Sequence, residues 1–259
     1  MNYGLLDSGI RTGTDDYVRY VIISRQRSGS NLLYNALKSH PQIICFNELF
    51  GWKKQVLFNY PGYRWWAGDP EVVRMRDEAV DEFMDRYVYR SHPPKTGAVG
   101  FKLFYDQHRK PKRSAWDWLA DHPEVRIIHL QRRNALKAYV SRELARQTKT
   151  WVGVVEGIEN MRVHVDTDKL MAYIRELDQW NEALPQYYPD HEIKHIYFED
   201  MLKDFESYSR NICSNLNVPY APLHIGTPKQ GRYELTDIVT NWKEVEAVLV
   251  KEGLSRLLP

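Results

Sequence analysis

The chain has 259 residues, of which 43% are hydrophobic and 27% charged, and its formal net charge is +2. This length and composition predict a folded domain with a sizeable core. The nearly balanced charge argues against nucleic acid as a partner. The two cysteines, Cys45 and Cys213, lie far apart and imply no disulfide framework, which suits a reducing cytosol. With neither a run of ~18 apolar residues nor a signal-peptide pattern, the sequence predicts a cytoplasmic protein with no membrane span.

Five apolar, β-type runs alternate with amphipathic segments along the chain. The predicted strands are Tyr20–Ser24, Ile43–Phe46, Ala98–Phe104, Val125–Leu130 and Ile193–Tyr197. The predicted helices are Asn31–Ser39, Pro70–Tyr89, Ala115–Asp121, Asn134–Gln147, Asp168–Tyr187 and Phe205–Asn215. This alternation predicts an α/β fold of three layers, with a mostly parallel central sheet. Residues 1–16 are expected to form a flexible lead-in, and residues 17–259 a single domain.

The first loop has the features of a phosphate-binding turn. The strand ending at Ser24 is followed by a short polar turn, RQRSGSN, and then by an amphipathic helix. A helix N-terminus directs free backbone N–H groups and the positive end of the helix dipole at an anion. Arg25 and Arg27 add two fixed positive charges that suit phosphate or sulfate. The turn is P-loop-like but is not a Walker A loop, because it contains one glycine, Gly29, and no lysine.

A second motif lies at the end of the fourth predicted strand. Arg132 and Arg133 follow Leu130, a helix begins near Asn134, and Ser141 lies two turns into that helix. Arginines are disfavoured beside the positive N-terminus of a helix, so a pair of them there indicates a bound anion. The sequence therefore predicts two anion sites, both beyond the ends of strands in one parallel sheet, where such folds bind ligands.

Both motifs resemble those of sulfotransferases that use 3′-phosphoadenosine 5′-phosphosulfate (PAPS) as donor. The turn resembles their 5′-phosphosulfate loop, and an arginine followed nine residues later by a serine resembles their 3′-phosphate motif. Further segments resemble the bacterial branch that contains trehalose and nodulation-factor sulfotransferases, in the same order between Tyr20 and Trp242. They are Asn47–Phe50 (NELF), Gly100–Leu103 (GFKL), Arg132–Trp151, Tyr197–Asp200 (YFED) and Thr227–Gln230 (TPKQ).

The resemblance implies PAPS as donor, adenosine 3′,5′-bisphosphate (PAP) as product, and no metal. It also implies a small-molecule or carbohydrate acceptor, with a carbohydrate or glycolipid hydroxyl as the leading expectation; a homodimer is left open. The donor-binding residues that it implies are Arg25, Gln26, Arg27, Ser28, Gly29, Ser30, Asn31, Arg132, Ser141, Lys229 and Gln230. Gln26 stands where the family usually has proline, and Asn31 where a hydroxyl residue is commonest.

Sulfuryl transfer needs a charge that stabilises the donor's bridging oxygen and a base that takes the acceptor's proton. Arg27 is expected to supply the charge, supported by the backbone N–H groups of residues 28–31, and Lys102 to contact the sulfuryl oxygens. Glu48 is the expected base, because it follows an apolar strand at the crevice end of the sheet. His108 is the alternative base, because other sulfotransferase branches use a histidine after the corresponding strand.

Two other functions compete with this interpretation. A P-loop kinase would share the architecture, although the Walker lysine and the Ser/Thr that follows it to bind Mg²⁺ are missing. A catalytically inactive PAP-binding module would keep the anion sites without turnover, and the presence of both Arg27 and Glu48 argues against it. No spacing of histidine, cysteine and acidic residues resembles a zinc site.

Overall fold

The computed structural model describes residues 12–51, 54–108, 113–151, 157–226 and 233–259. Five strands form one sheet in the order β2-β3-β1-β4-β5, and every neighbouring pair is parallel. The strands are β1 (Val18–Ser24), β2 (Ile43–Glu48), β3 (Ala98–Phe104), β4 (Arg126–Gln131) and β5 (Ile193–Tyr197). Each lies within two residues of its predicted bounds. The first four are mostly buried, whereas only Ile196 is buried in β5, at the edge of the sheet.

Helices connect the strands. The α-helices of the described residues are α1 (Ser30–Lys38), α2 (Pro70–Glu78), α3 (Val80–Phe83), α4 (Ala115–Ala120), α5 (Ala135–Thr148), α6 (Thr167–Tyr187), α7 (Phe198–Lys203), α8 (Phe205–Asn215), α9 (Leu235–Ile238) and α10 (Trp242–Lys251). A π-helical turn spans Met84–Val88, and 3₁₀ turns span Tyr105–His108, Ile158–Asn160 and Ser255–Leu257.

The sheet is the middle one of three layers because alternate side chains of a strand point to opposite faces. In β1, Tyr20 and Ile22 join one apolar cluster, to which α1 and α8 contribute. Val21 and Ile23 join the other, to which α4, α5 and α6 contribute. All four of these β1 side chains are fully buried. The predicted α/β fold class, with a parallel central sheet between helices, is confirmed.

The main departure from the predicted helices lies between residues 70 and 89. The predicted single helix is interrupted at Ala79, whose backbone is not helical (φ −139°, ψ 64°), and a separate short helix and a π-helical turn follow. Nothing in the apolar pattern marks Ala79, since alanine is the best helix former. Helices α7, α9 and α10 were also not predicted, and two of them have six residues or fewer.

The register of the sheet brings three strand ends together. Ser24, the last residue of β1, is aligned with Phe104 of β3 on one side and with Leu130 of β4 on the other. The loops that leave β1, β3 and β4 therefore emerge at the same level of the same sheet edge. At the outer strand, Glu48 of β2 is aligned with Lys102 of β3.

Of the predicted lead-in, residues 1–16, the structure describes only residues 12–16. Within the rest, the Thr14 N–H donates to the His92 carbonyl at 2.7 Å, and the His92 N–H donates back at 3.0 Å. The extent of the single domain stays a prediction. Across the described residues, no helix combines the length and the apolar character that a membrane crossing requires.

Candidate active site

The loop after β1 ends in an uncapped helix N-terminus. Gly29, in the left-handed region with φ 91°, precedes α1, and no side chain caps that end. The first N–H groups of an α-helix have no i−4 acceptor within the helix. In α1 the third of them, that of Leu32, donates to the Gly29 carbonyl at 2.9 Å, so the first two are the ones available to an anion. A Cβ on Gly29 would lie 2.1 Å from Cδ2 of Phe198, so glycine is required there for space as well as for conformation. Ser28 and Ser30, on either side, are both buried.

The two predicted anion motifs touch one another through Arg27. Its Nε and Nη2 donate to Ser141 Oγ at 3.0 and 2.8 Å, and its Nη1 donates to the Trp151 carbonyl at 2.8 Å. Arg132 Nη1 donates to the Arg27 carbonyl at 2.9 Å. Arg27 itself has φ 69°, an uncommon conformation for a residue with a side chain. The motifs that are 114 positions apart in sequence thus form one cluster.

This cluster has more positive than negative charge close to it. Burial, and then the neighbouring Arg132, lower the pKa of Arg27. Burial also lowers the pKa of Arg132, against the opposing effect of Glu199, whose Oε1 lies 3.8 Å from Arg132 Nε. Two partly desolvated guanidinium groups side by side are stabilised by an anion between them. Arg133, by contrast, is an exposed side chain that donates to Asp200.

Arg25 and Gln26, two predicted donor contacts, make hydrogen bonds within the protein. Arg25 donates to both carboxylate oxygens of Glu176 in α6, at 2.8 and 3.0 Å. Gln26 Nε2 donates to Asp106 Oδ2 at 3.3 Å, and so ties the start of the loop to the turn after β3. Proline, which the resembled family usually has at this position, has no side-chain donor for such a bond. Neither Glu176 nor Asp106 is predicted from the sequence, since nothing local to them signals a contact with the loop.

Glu48, Lys102 and Asn31 form a connected polar group at the β2–β3 edge of the loop. Lys102 Nζ donates to Asn31 Oδ1 at 2.6 Å and lies 3.5 Å from Glu48 Oε1. The Lys102 side chain is fully buried, whereas that of Glu48 is 29% exposed. Burial lowers the pKa of Lys102, and the charge of Glu48 opposes that shift. The Lys102 ammonium thus links the solvent-accessible carboxylate of Glu48 to Asn31 in the first turn of α1.

For three predicted site residues the structure describes no side-chain position. Lys229 and Gln230 lie outside the described residues. The backbone of His108 closes the 3₁₀ turn after β3, but its side chain is outside what the structure describes, so the choice between Glu48 and His108 as base stays a prediction. In the described ranges, no group of three or more histidine, cysteine or acidic side chains is arranged to hold a metal ion.

Comparison with known proteins identifies the family. The profile of the sulfotransferase family matches residues 20–222, which is most of the chain. The chain therefore belongs to the sulfotransferase family. No curated protein sequence matches it.

Solved structures agree at the level of fold. A sulfotransferase from Alicyclobacillus acidocaldarius is similar over 92% of this chain and 93% of its own, with 14% sequence identity and a TM-score of 0.51. The mouse sulfotransferase SULT7A1, solved in complex with PAP, is matched over 84% of this chain and 63% of its own, with 16% identity and a TM-score of 0.43. At 14% identity, the likeness to the Alicyclobacillus acidocaldarius enzyme shows the fold alone.

Proposed function

We propose that this protein transfers a sulfuryl group from PAPS to an acceptor hydroxyl and releases PAP. The observation that carries the proposal is the contact between the two anion motifs, in which Arg27 donates to Ser141 and Arg132 donates to the Arg27 carbonyl. PAPS carries two separated anionic groups, a 5′-phosphosulfate and a 3′-phosphate. A site for it therefore needs two neighbouring sets of donors, whereas a nucleotide with one polyphosphate chain needs only one.

In this proposal each motif holds one end of the donor. The N–H groups that open α1 bind the 5′-phosphosulfate, and Arg132 and Ser141 bind the 3′-phosphate. Arg27 is a cation for the donor in either position. Its present hydrogen bonds favour the 3′-phosphate, so a role at the bridging oxygen would require its guanidinium to leave Ser141. Lys229 and Gln230 are retained as proposed donor contacts by resemblance.

The transfer step uses Glu48 and Lys102. The acceptor oxygen attacks sulfur in line, the bond between sulfur and the bridging oxygen breaks, and PAP leaves with that electron pair. Glu48 accepts the proton of the acceptor hydroxyl. Lys102 stabilises the sulfuryl oxygens, because a buried ammonium acts in a medium of low dielectric constant. No residue in this scheme requires a metal ion.

The acceptor is proposed from the resemblance alone as a hydroxyl of a carbohydrate or glycolipid, and the location as cytoplasmic. Substrate loops vary independently of the donor site in a shared fold. Incubation of the protein with ³⁵S-labelled PAPS and a panel of hydroxyl acceptors, with and without a chelator, tests both the class of acceptor and the independence from metal. An inactive PAP-binding module would bind PAP and label none of them.

Donor binding gives the first prediction. A ligand that binds only the folded protein raises its melting temperature. PAP at about 100 times its Kd should add about 2.7 kcal/mol to the free energy of unfolding, and ADP or ATP with Mg²⁺ should add much less. Thermal unfolding with each nucleotide measures this. A clear shift with ATP beside none with PAP would favour the kinase.

A further inference from the structure

Three buried polar groups in and next to the loop after β1 have no hydrogen-bond partner in the described part of the chain. They are Ser28 Oγ, Arg132 Nε and Tyr173 OH. Ser28 and Tyr173 are 2% and 3% exposed. All three residues line one cavity, which has room for about one water-sized group. Because a buried polar group without a partner costs free energy, a cavity with three of them is prepared for a polar ligand.

Arginines surround Tyr173, and two of them are already neutralised. The Cζ atom of Arg25 lies 5.2 Å from the centre of the Tyr173 ring, and that of Arg142 lies 4.5 Å from it. Arg25 is paired with Glu176 at 2.8 Å, and Arg142 with Glu143 at 3.4 Å. These pairs hold the ring in place and add little net charge to the cavity.

The other two arginines near the Tyr173 hydroxyl, Arg27 and Arg132, set the sign of the ligand. Both interact electrostatically with that hydroxyl. Arg27 donates only to neutral oxygens among the contacts described above, and the carboxylate of Glu199 is 3.8 Å from Arg132. An anion is therefore the ligand that this side of the cavity favours.

We propose that the Tyr173 hydroxyl donates a hydrogen bond to the 3′-phosphate of the donor. The inference rests on the proposed function and deepens it, because it adds a residue of α6 that belongs to neither anion motif. The O–H of Tyr173 donates, and a phosphate oxygen held by Arg132 accepts. The hydroxyl thereby gains the partner that it lacks among the described residues.

The test is Tyr173→Phe, with Tyr139→Phe as its matched control. Tyr139 is as buried as Tyr173 and its ring packs against that of Tyr173 at 5.6 Å. The charges that act on its hydroxyl are those of Glu143, Arg142, Asp166 and Lys169, and do not include Arg27 or Arg132. Calorimetry should show that Tyr173→Phe weakens PAP about tenfold or more, as for the loss of a hydrogen bond to a charged group. Affinity for AMP, which lacks the 3′-phosphate, should change by less than about twofold. The control should leave the ratio of PAP to AMP affinity unchanged.

The melting temperature of the ligand-free variant separates this role from a structural one. Removing a hydroxyl that has no partner among the described residues should leave this temperature unchanged or raise it. Three results would overturn the inference: wild-type PAP affinity in Tyr173→Phe, equal losses of PAP and AMP affinity, or a variant that unfolds well below the wild type. If the wild-type protein binds no PAP, the proposed donor is wrong and the inference fails with it. If PAP binds and the Tyr173→Phe variant binds it equally well, only the inference fails, and the proposed function stands.

Discussion

At the scale of single residues, Lys102 links the proposed base, Glu48, to the loop after β1. The ammonium of Lys102 is fully buried and lies 3.5 Å from the Glu48 carboxylate. The same ammonium is held by Asn31 at 2.6 Å, so it is fixed between the proposed base and the proposed donor loop. The proposed base and the proposed electrophilic group therefore lie side by side.

The second prediction concerns Glu48→Gln, which keeps the size of the side chain but removes the proton acceptor. If Glu48 is the base, sulfuryl transfer should fall by about 10²–10⁴-fold, while PAP affinity stays nearly unchanged because the anion motifs are intact. Steady-state rates with labelled PAPS, together with calorimetry of PAP binding, check this.

His108→Ala is the comparison variant for that experiment. Nearly full turnover in Glu48→Gln, with turnover abolished in a folded His108→Ala, would assign the base to the turn after β3. Glu48 would then only orient the acceptor or hold Lys102.

At the scale of elements, the junction between the loop and α1 depends on the close approach of Phe198. The third prediction is that Gly29→Ala lowers the free energy of unfolding by about 2–4 kcal/mol, from left-handed strain and from overpacking against that ring. It should also weaken PAP, since the N–H groups must shift with the backbone. Urea unfolding and calorimetry measure the two effects.

The variant Gly253→Ala measures the cost of left-handed backbone strain without a steric clash. Gly253 also has positive φ, 70°, but a Cβ there would meet nothing within 4 Å. This variant should lose only about 1–2 kcal/mol, from the backbone strain, and bind PAP normally. If the two variants are equally stable, the Phe198 ring moves away from the added methyl group without a cost in free energy, and its contact with residue 29 does not fix the loop.

The sequence predicts this junction only in part. The strand, the turn and the helix of the first motif follow from local pattern, because burial period and turn residues are local properties. The contact of Phe198 with Gly29 does not, since it joins α7 to α1 across the sheet edge. Likewise, the direction of the Arg27 side chain toward Ser141 depends on its φ of 69°, which no rule predicts for arginine. The role proposed for Tyr173 has no signal in the sequence, because a tyrosine on the apolar face of a helix looks like any core residue.

At the scale of the whole molecule, two buried histidines link stability to pH. His92 and His129 are both fully buried. Burial lowers the pKa of His92 to about 4, and burial together with the nearby His195 lowers that of His129 to about 3. The unfolded chain binds protons at these histidines near pH 6.5, whereas the folded protein does not. Their contribution to stability is therefore complete above about pH 6.5 and is lost as the pH falls toward the folded values.

The last prediction is a fall in the free energy of unfolding of about 1.4 kcal/mol per pH unit for each histidine between about pH 6 and pH 4. His129 forms hydrogen bonds with Tyr105 and Gln131, so His129→Gln lowers stability at every pH. The informative quantity is therefore the slope of the free energy of unfolding against pH, which should decrease by the contribution of about one histidine. His164→Gln, at an exposed position, should leave the slope unchanged. Urea unfolding in steps from pH 7.5 to pH 4.5 measures all three proteins. If the wild type and His129→Gln give parallel lines, then His129 takes up its proton without unfolding the core, and the acid sensitivity of the fold arises elsewhere.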